Sequence, residues 1–98
     1  MAEIVIHIEK NKFFSLLNKL KEDEKVSLAT IKTREASIIG KDGFLIIVSG
    51  IEEYCNRAKE IATTNGGVLL DEAYIKKVLE EIKKEEEKAK EGFGFLLG

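Results

Sequence analysis

The segment Phe44-Leu45-Ile46-Ile47-Val48 limits the folds open to this chain more than any other. Five apolar residues in a row, three of them β-branched, do not alternate between a wet and a dry side. Such a strand has both faces buried, so it belongs in the middle of a sheet with cover above and below. The residues before it, Gly40-Lys41-Asp42-Gly43, read as a hairpin turn in which glycine supplies positive φ. The chain must therefore supply neighbouring strands and two covering layers.

The rest of the sequence contains candidates for both. Ile4, Ile6 and Ile8 alternate with Val5 and His7, a strand of period two. Asn11 offers a helix cap, and Phe13, Leu16, Leu17 and Leu20 then recur at i, i+3, i+4 and i+7, one apolar stripe of a helix. Val26 to Ile39 is β-rich but slips phase between Leu28 and Ile38, which predicts a bulge or break near Thr33–Ala36. A two-stranded meander is the alternative for that stretch. Ser49-Gly50-Ile51-Glu52 reads as a capping box ahead of a helix whose apolar positions are Ile51, Tyr54, Cys55, Ala58, Ile61 and Ala62. Asn65-Gly66-Gly67 closes it. Val68-Leu69-Leu70 is a short strand. Asp71 caps a last helix from Glu72, with Ile75, Val78, Leu79 and Ile82 as its stripe and Glu80–Lys84 and Glu86–Lys90 as i,i+4 pairs.

The order β-α-β-β-α-β followed by a helix predicts an α+β domain of ferredoxin-like, split βαβ type with an additional C-terminal helix and an apolar tail. The first and third strands are the most apolar and are expected at the centre, running parallel. The second, with Lys32 and Arg34, and the short fourth are expected at the edges, where charge and brevity discourage stray pairing. Two helices would cover one face. The other face, carrying Val5 and His7, needs the last helix or a second subunit. Residues 1–82 are read as a single domain that includes the start of the last helix, and 83–98 as a charged extension with a Gly/Phe tail.

Length and composition narrow the function classes. Ninety-eight residues are one domain's worth, and 44% hydrophobic with 35% charged residues is the balance of a globular chain. A single cysteine excludes an intrachain disulfide framework and fits a reducing compartment. No stretch approaches the roughly 20 apolar residues of a membrane span. Met1-Ala2-Glu3-Ile4 enters a strand pattern without a basic n-region, so no signal peptide is expected and the cytoplasm is the expected location. A net charge of −2 lacks the basic excess of nucleic-acid binders. Lys32, Arg34 and Lys41 give the hairpin a basic tip, but no pair of aromatics falls on the sheet to stack bases. Lysine and glutamate dominate and arginine is confined to Arg34 and Arg57, a thermophile pattern.

No catalytic constellation stands out. His7 needs a partner to act as a base, and Glu9 follows at strand spacing. Cys55 lies on an apolar stripe, where a small thiol is core rather than nucleophile. One histidine and one cysteine cannot alone build a zinc site, and no metal or other cofactor is expected. The turn at Ser49-Gly50, before the second helix, is compatible with an anion at a helix amino end, although Glu52 and Glu53 oppose one. His7, Ser49 and Gly50 are accordingly candidate ligand or interface residues.

The tail carries the main expectation. After the nearly all-charged run Lys83–Lys90 come Gly92-Phe93-Gly94-Phe95-Leu96-Leu97-Gly98, beyond the end of the apolar stripe. Phe93, Phe95, Leu96 and Leu97 are the expected partner-binding residues, the partner being another copy of the chain or a foreign protein that also meets a sheet face. No nucleic acid or membrane partner is expected. A non-catalytic interaction or assembly module is thus the leading reading. In element order the chain also resembles the small regulatory domains of ACT type, a resemblance that implies a small ligand bound at a subunit interface between sheet edges. The glycine usual after the first strand of those modules is replaced here by Glu9-Lys10-Asn11.

Overall fold

β1 (Ala2–Ile8) and β3 (Phe44–Gly50) lie side by side at the centre of a four-stranded sheet, flanked by β2 (Thr30–Glu35) and β4 (Val68–Leu69) in the order β2-β3-β1-β4. The computed structural model describes the backbone of residues 1–97 and the side chains of residues 1–88. All neighbouring strands are antiparallel, β1 to β3 from Ala2↔Gly50 to Ile8↔Phe44. The expected parallel pairing of the two central strands is therefore corrected. The reason is topological. β1 and β2 run the same way on either side of β3, and β3 returns directly from β2, so it opposes both. β3 and β4 likewise run the same way on either side of β1.

Strand alternation divides the core in two. Ile4, Ile6, Ile8, Ile46 and Val48 face α1 (Lys10–Glu22) and α2 (Glu52–Thr64), packing with Phe13, Leu16, Leu20, Cys55, Ala58 and Ala62. Val5, Leu45 and Ile47 face the other way and pack with Val78 and Ile82 of α3 (Glu72–Leu97). Of the two covers considered for this face, α3 is the one present. Leu45 to Val48 are buried to within 2% exposure, which is what the unbroken apolar run requires. Each such side chain contributes about 1.5–3 kcal/mol by leaving water. The molecule is a compact α+β domain of helices, sheet and helix, with a radius of gyration of 14.3 Å.

Between α1 and β3 the chain departs from expectation. Val26–Leu28 and Ala36–Ile39 are short 3₁₀ turns on either side of β2, so the stretch holds one strand and no meander. The first turn buries Val26 and leaves Leu28 70% exposed. The second drops Ala36 and Ile39 into the core under α3, and the phase slip marks this break. The link to β3 is therefore eight residues long, 36–43, and it closes with Gly40 at φ +73 and Gly43 at φ +88. Gly43 is required twice over, because a Cβ there would lie 2.5 Å from the Ile8 carbonyl oxygen.

Two expected helix caps are absent and one is present. α1 begins at Lys10 after Glu9, with no side-chain cap, so Asn11 lies inside the helix. Ser49 and Gly50 belong to β3, paired with Glu3 and Ala2, and α2 starts after Ile51 without a capping box. The ladder claims these residues before the helix can. Asp71 does cap α3, accepting from the Tyr74 N–H at 3.0 Å. The α2 exit is as expected: Gly67 N–H reaches Ala62 C=O at 2.8 Å and Gly66 takes φ +83.

α3 starts at the β4 edge, where the Leu70 N–H donates to Val5 C=O at 3.0 Å. It crosses the sheet and reaches β2, where Arg34 bonds Glu85 at 2.8 Å and Lys32 bonds Glu86 at 3.2 Å. Lys84 pairs with Glu81 at 3.4 Å rather than with Glu80, and the expected Glu86–Lys90 pair lies outside the described side chains. The bounds of α3 run on to Leu97 and so take in most of the apolar Gly/Phe tail. The side chains of Phe93, Phe95, Leu96 and Leu97 lie outside the described residues.

Candidate functional site

The expected ligand residues are not neighbours. His7 pairs with Leu45 near one end of the central ladder, and Ser49 and Gly50 pair with Glu3 and Ala2 at the other. The His7 Nε2 donates to the Asp42 main-chain carbonyl at 2.6 Å, tying the end of β1 to the β2–β3 link. Because the acceptor is a carbonyl, that nitrogen carries the proton. Glu9 does not orient the imidazole; it follows β1 and lies 3.9 Å from Lys12. Gly50 packs against Ala29 and Tyr54. This triplet builds no common site.

Cys55 is in the core. Its Sγ lies 3.5 Å from the Ala2 carbonyl and 3.7 Å from that of Val48, and burial pushes its thiol pKa up. A raised pKa removes the thiolate that a nucleophile needs. Among the described residues, no three histidine, cysteine or carboxylate side chains gather as they would round a metal ion. No described helix is long and apolar enough to cross a membrane.

The amino end of α2 opens on a cleft of about 760 Å³, the place considered for an anion. Its charges are already matched. Glu52 and Glu53 stand at the helix start, Arg57 is held by Asp23 at 3.0 Å and by Glu60 at 3.1 Å, and Lys25 pairs with Glu53 at 3.2 Å. Asp23 is the organiser. Its second oxygen accepts from the N–H groups of Val26 and Lys25, both at 3.1 Å. The Val26 N–H above all, and then the Arg57 guanidinium, hold its carboxyl below the usual range, while Asp23 in turn raises Arg57. The arrangement fastens the α1 exit to α2 and offers an anion no free cation.

The expected basic tip also disperses. Lys32 and Arg34 lie mid-strand under α3 glutamates, and the Lys41 ammonium sits 4.8 Å over the Tyr74 ring. These contacts were not readable in the sequence, because Arg34 and Glu85 are 51 residues apart and Lys32 and Glu86 are 54 apart. Together they mark the two ends of the helix–sheet contact.

What remains is the outer part of α3. Its last described contacts with the sheet are those of Glu85 and Glu86, and the helix bounds continue eleven residues past Glu86 to Leu97. That length is about 16 Å of helix. Compared with family models, curated proteins and solved structures, the chain finds no match.

Proposed function

We propose that this protein is a non-catalytic assembly module that joins copies of itself, or a foreign subunit, through the C-terminal end of α3. The observation that carries this reading is where the last described contacts of α3 with its own domain lie. It reaches the β2 edge with Glu85 and Glu86, while Phe93, Phe95, Leu96 and Leu97 come seven to eleven positions after Glu86. Apolar residues placed past the end of their own core gain burial by meeting another surface. The described part of the chain points the same way: His7, Cys55 and the Asp23–Arg57 pair are each absorbed into the architecture. α3 already covers the middle of the second sheet face, so a partner engages the helix end or the sheet edges while α3 is docked.

The architecture within this proposal is ferredoxin-like. Each β-α-β crossover straddles one antiparallel strand, and α1 and α2 share one face. The cytoplasm is the proposed location, in keeping with a free, buried Cys55.

The test is a chain ended after Glu91, weighed by light scattering beside the full chain, with circular dichroism to confirm folding. The full chain should be larger than one copy or capture a partner from lysate, and the shortened chain should do neither. Equal mass and equal capture would remove the helix end from the proposal.

A further inference from the structure

We propose that the free edge of β1 beside α3 is a strand-docking slot, and that its occupant is Gly92–Leu97 of a second copy of this chain. This rests on the assembly reading above and names the surface that the helix end would meet. β1 is seven residues long, but β4 pairs only with Ile6 and His7. Past β4 the Leu70 N–H bonds the Val5 carbonyl, and the chain then turns into α3. Main-chain groups on a strand point alternately to its two neighbours. Val5 and His7 turn theirs toward β4, so Glu3 does too, and no β4 residue stands opposite Glu3. Past the Leu70–Val5 bond, three residues of β1 remain, Ala2 to Ile4.

The wall beside this gap is apolar. Ile75 and Leu79 of α3, both half-buried, line a groove with Glu3, whose charged flank is made of Glu72, Lys76, Glu80 and Lys83. Free main-chain groups beside an apolar groove are what an added strand requires. The ladder supplies attraction, and alternate side chains of the guest fill the groove.

Gly92-Phe93-Gly94-Phe95-Leu96-Leu97 matches that requirement. As a strand it sends Phe93, Phe95 and Leu97 to one side, and two of the three residues on the other side are glycine. Glycine is also the weakest helix former after proline, so the last turns of α3 are the easiest to draw into an extended form.

The chain cannot dock its own segment. α3 passes its own slot at Ile75 and Leu79 and reaches the opposite, β2 edge by Glu85 and Glu86. From Leu79 to Gly92 the helix advances about 20 Å. Six extended residues span about 20 Å at most. A returning segment would use its whole length to reach the slot and have none left to pair.

The experiment uses a fluorescent peptide of residues 91–98 titrated into the chain ended after Glu91, and light scattering of full-length variants. Glu3→Pro removes the one N–H that faces the open edge, a position where proline is tolerated because β3 does not use that N–H. Leu79→Lys charges the groove wall while its stem keeps cover over the core, so the test stands if one variant fails to fold. Anisotropy should rise on titration, and either substitution in the shortened chain should weaken the peptide at least tenfold. Both full-length variants should fall to monomer mass. If truncation lowers the mass but folded Glu3→Pro and Leu79→Lys chains keep it, the helix end acts elsewhere, and the slot is overturned while the assembly reading stands. If the full chain exceeds one copy and truncation leaves that mass unchanged, both are overturned. Peptide binding unaffected by either substitution also overturns the slot. A full chain that is monomeric and captures only a foreign protein overturns the second copy as occupant.

Discussion

Arg34 Nε donates to Glu85 Oε2 at 2.8 Å, closing a contact between the β2 edge and α3, with side chains 30% and 47% exposed. Partial exposure keeps such a pair weak despite its short distance. A double-mutant cycle with Arg34→Ala and Glu85→Ala should give a coupling of about 0.5–1 kcal/mol by urea unfolding, shrinking in 1 M salt. A coupling above about 2 kcal/mol, indifferent to salt, would show a buried clamp instead.

Burial is the stronger fastening. Ile82 is 5% exposed and packs in the α3-side core. Ile82→Ala should cost about 2–5 kcal/mol in chemical denaturation. Phe14, 71% exposed, should cost only about 0.5 kcal/mol when changed to alanine. Similar losses at the two positions would mean that α3 does not rest on the sheet as described.

Gly43→Ala combines a left-handed φ of +88 with a Cβ 2.5 Å from the Ile8 carbonyl oxygen. Gly40 has φ +73 but nothing within 4 Å. Gly43→Ala should therefore lower Tm clearly more than Gly40→Ala, and Gly40→Asn should be nearly neutral, since asparagine tolerates this conformation. Equal shifts for the two alanine variants would contradict the close approach of the link to β1.

Asp23 links pH to stability. Its folded-state pKa lies below that of the unfolded chain, chiefly through the Val26 N–H. The unfolded chain thus binds the proton more readily, and the contribution is complete above the ordinary carboxylate value of about 3.9 and disappears as pH falls through the lower folded value. Asp23→Asn keeps one acceptor oxygen for the Val26 and Lys25 N–H groups but loses the one that holds Arg57, and should be destabilised at neutral pH by about 0.5–1 kcal/mol. Its deficit against the parent should shrink on acidification below about pH 4. A deficit that grows in acid would reverse the assigned sign.

The limits of the sequence reading follow from where each signal resides. The Phe44–Val48 run, the α1 stripe and the α2 stripe are local patterns, and each became the element expected. Asp71 before Glu72 was also legible, because a cap acts over three residues. Ser49-Gly50-Ile51-Glu52 misled because the same residues satisfy a local capping pattern and a longer ladder, and β1 and β2 both pair with Ser49. The Ala36–Ile39 turn was legible only as a phase slip, since its cause is the pocket offered by α3 more than thirty residues later. The Lys32 and Arg34 partners had no local signal at all. The candidate site was less legible than the fold: His7, Ser49 and Gly50 were singled out by type and position, and the ladder assigns them to opposite ends.

The crossing of α3 over the second sheet face also divides the chain into a body and a lid. Residues 1–69 hold every described strand and both helices of the first face, whereas Val78 and Ile82 belong to a later segment. Without that segment Val5, Leu45 and Ile47 have a backbone ready to fold and no cover. A chain in this state is adhesive, and the last helix is what renders it inert. A chain ended after Asp71 should therefore aggregate at concentrations that the full chain tolerates.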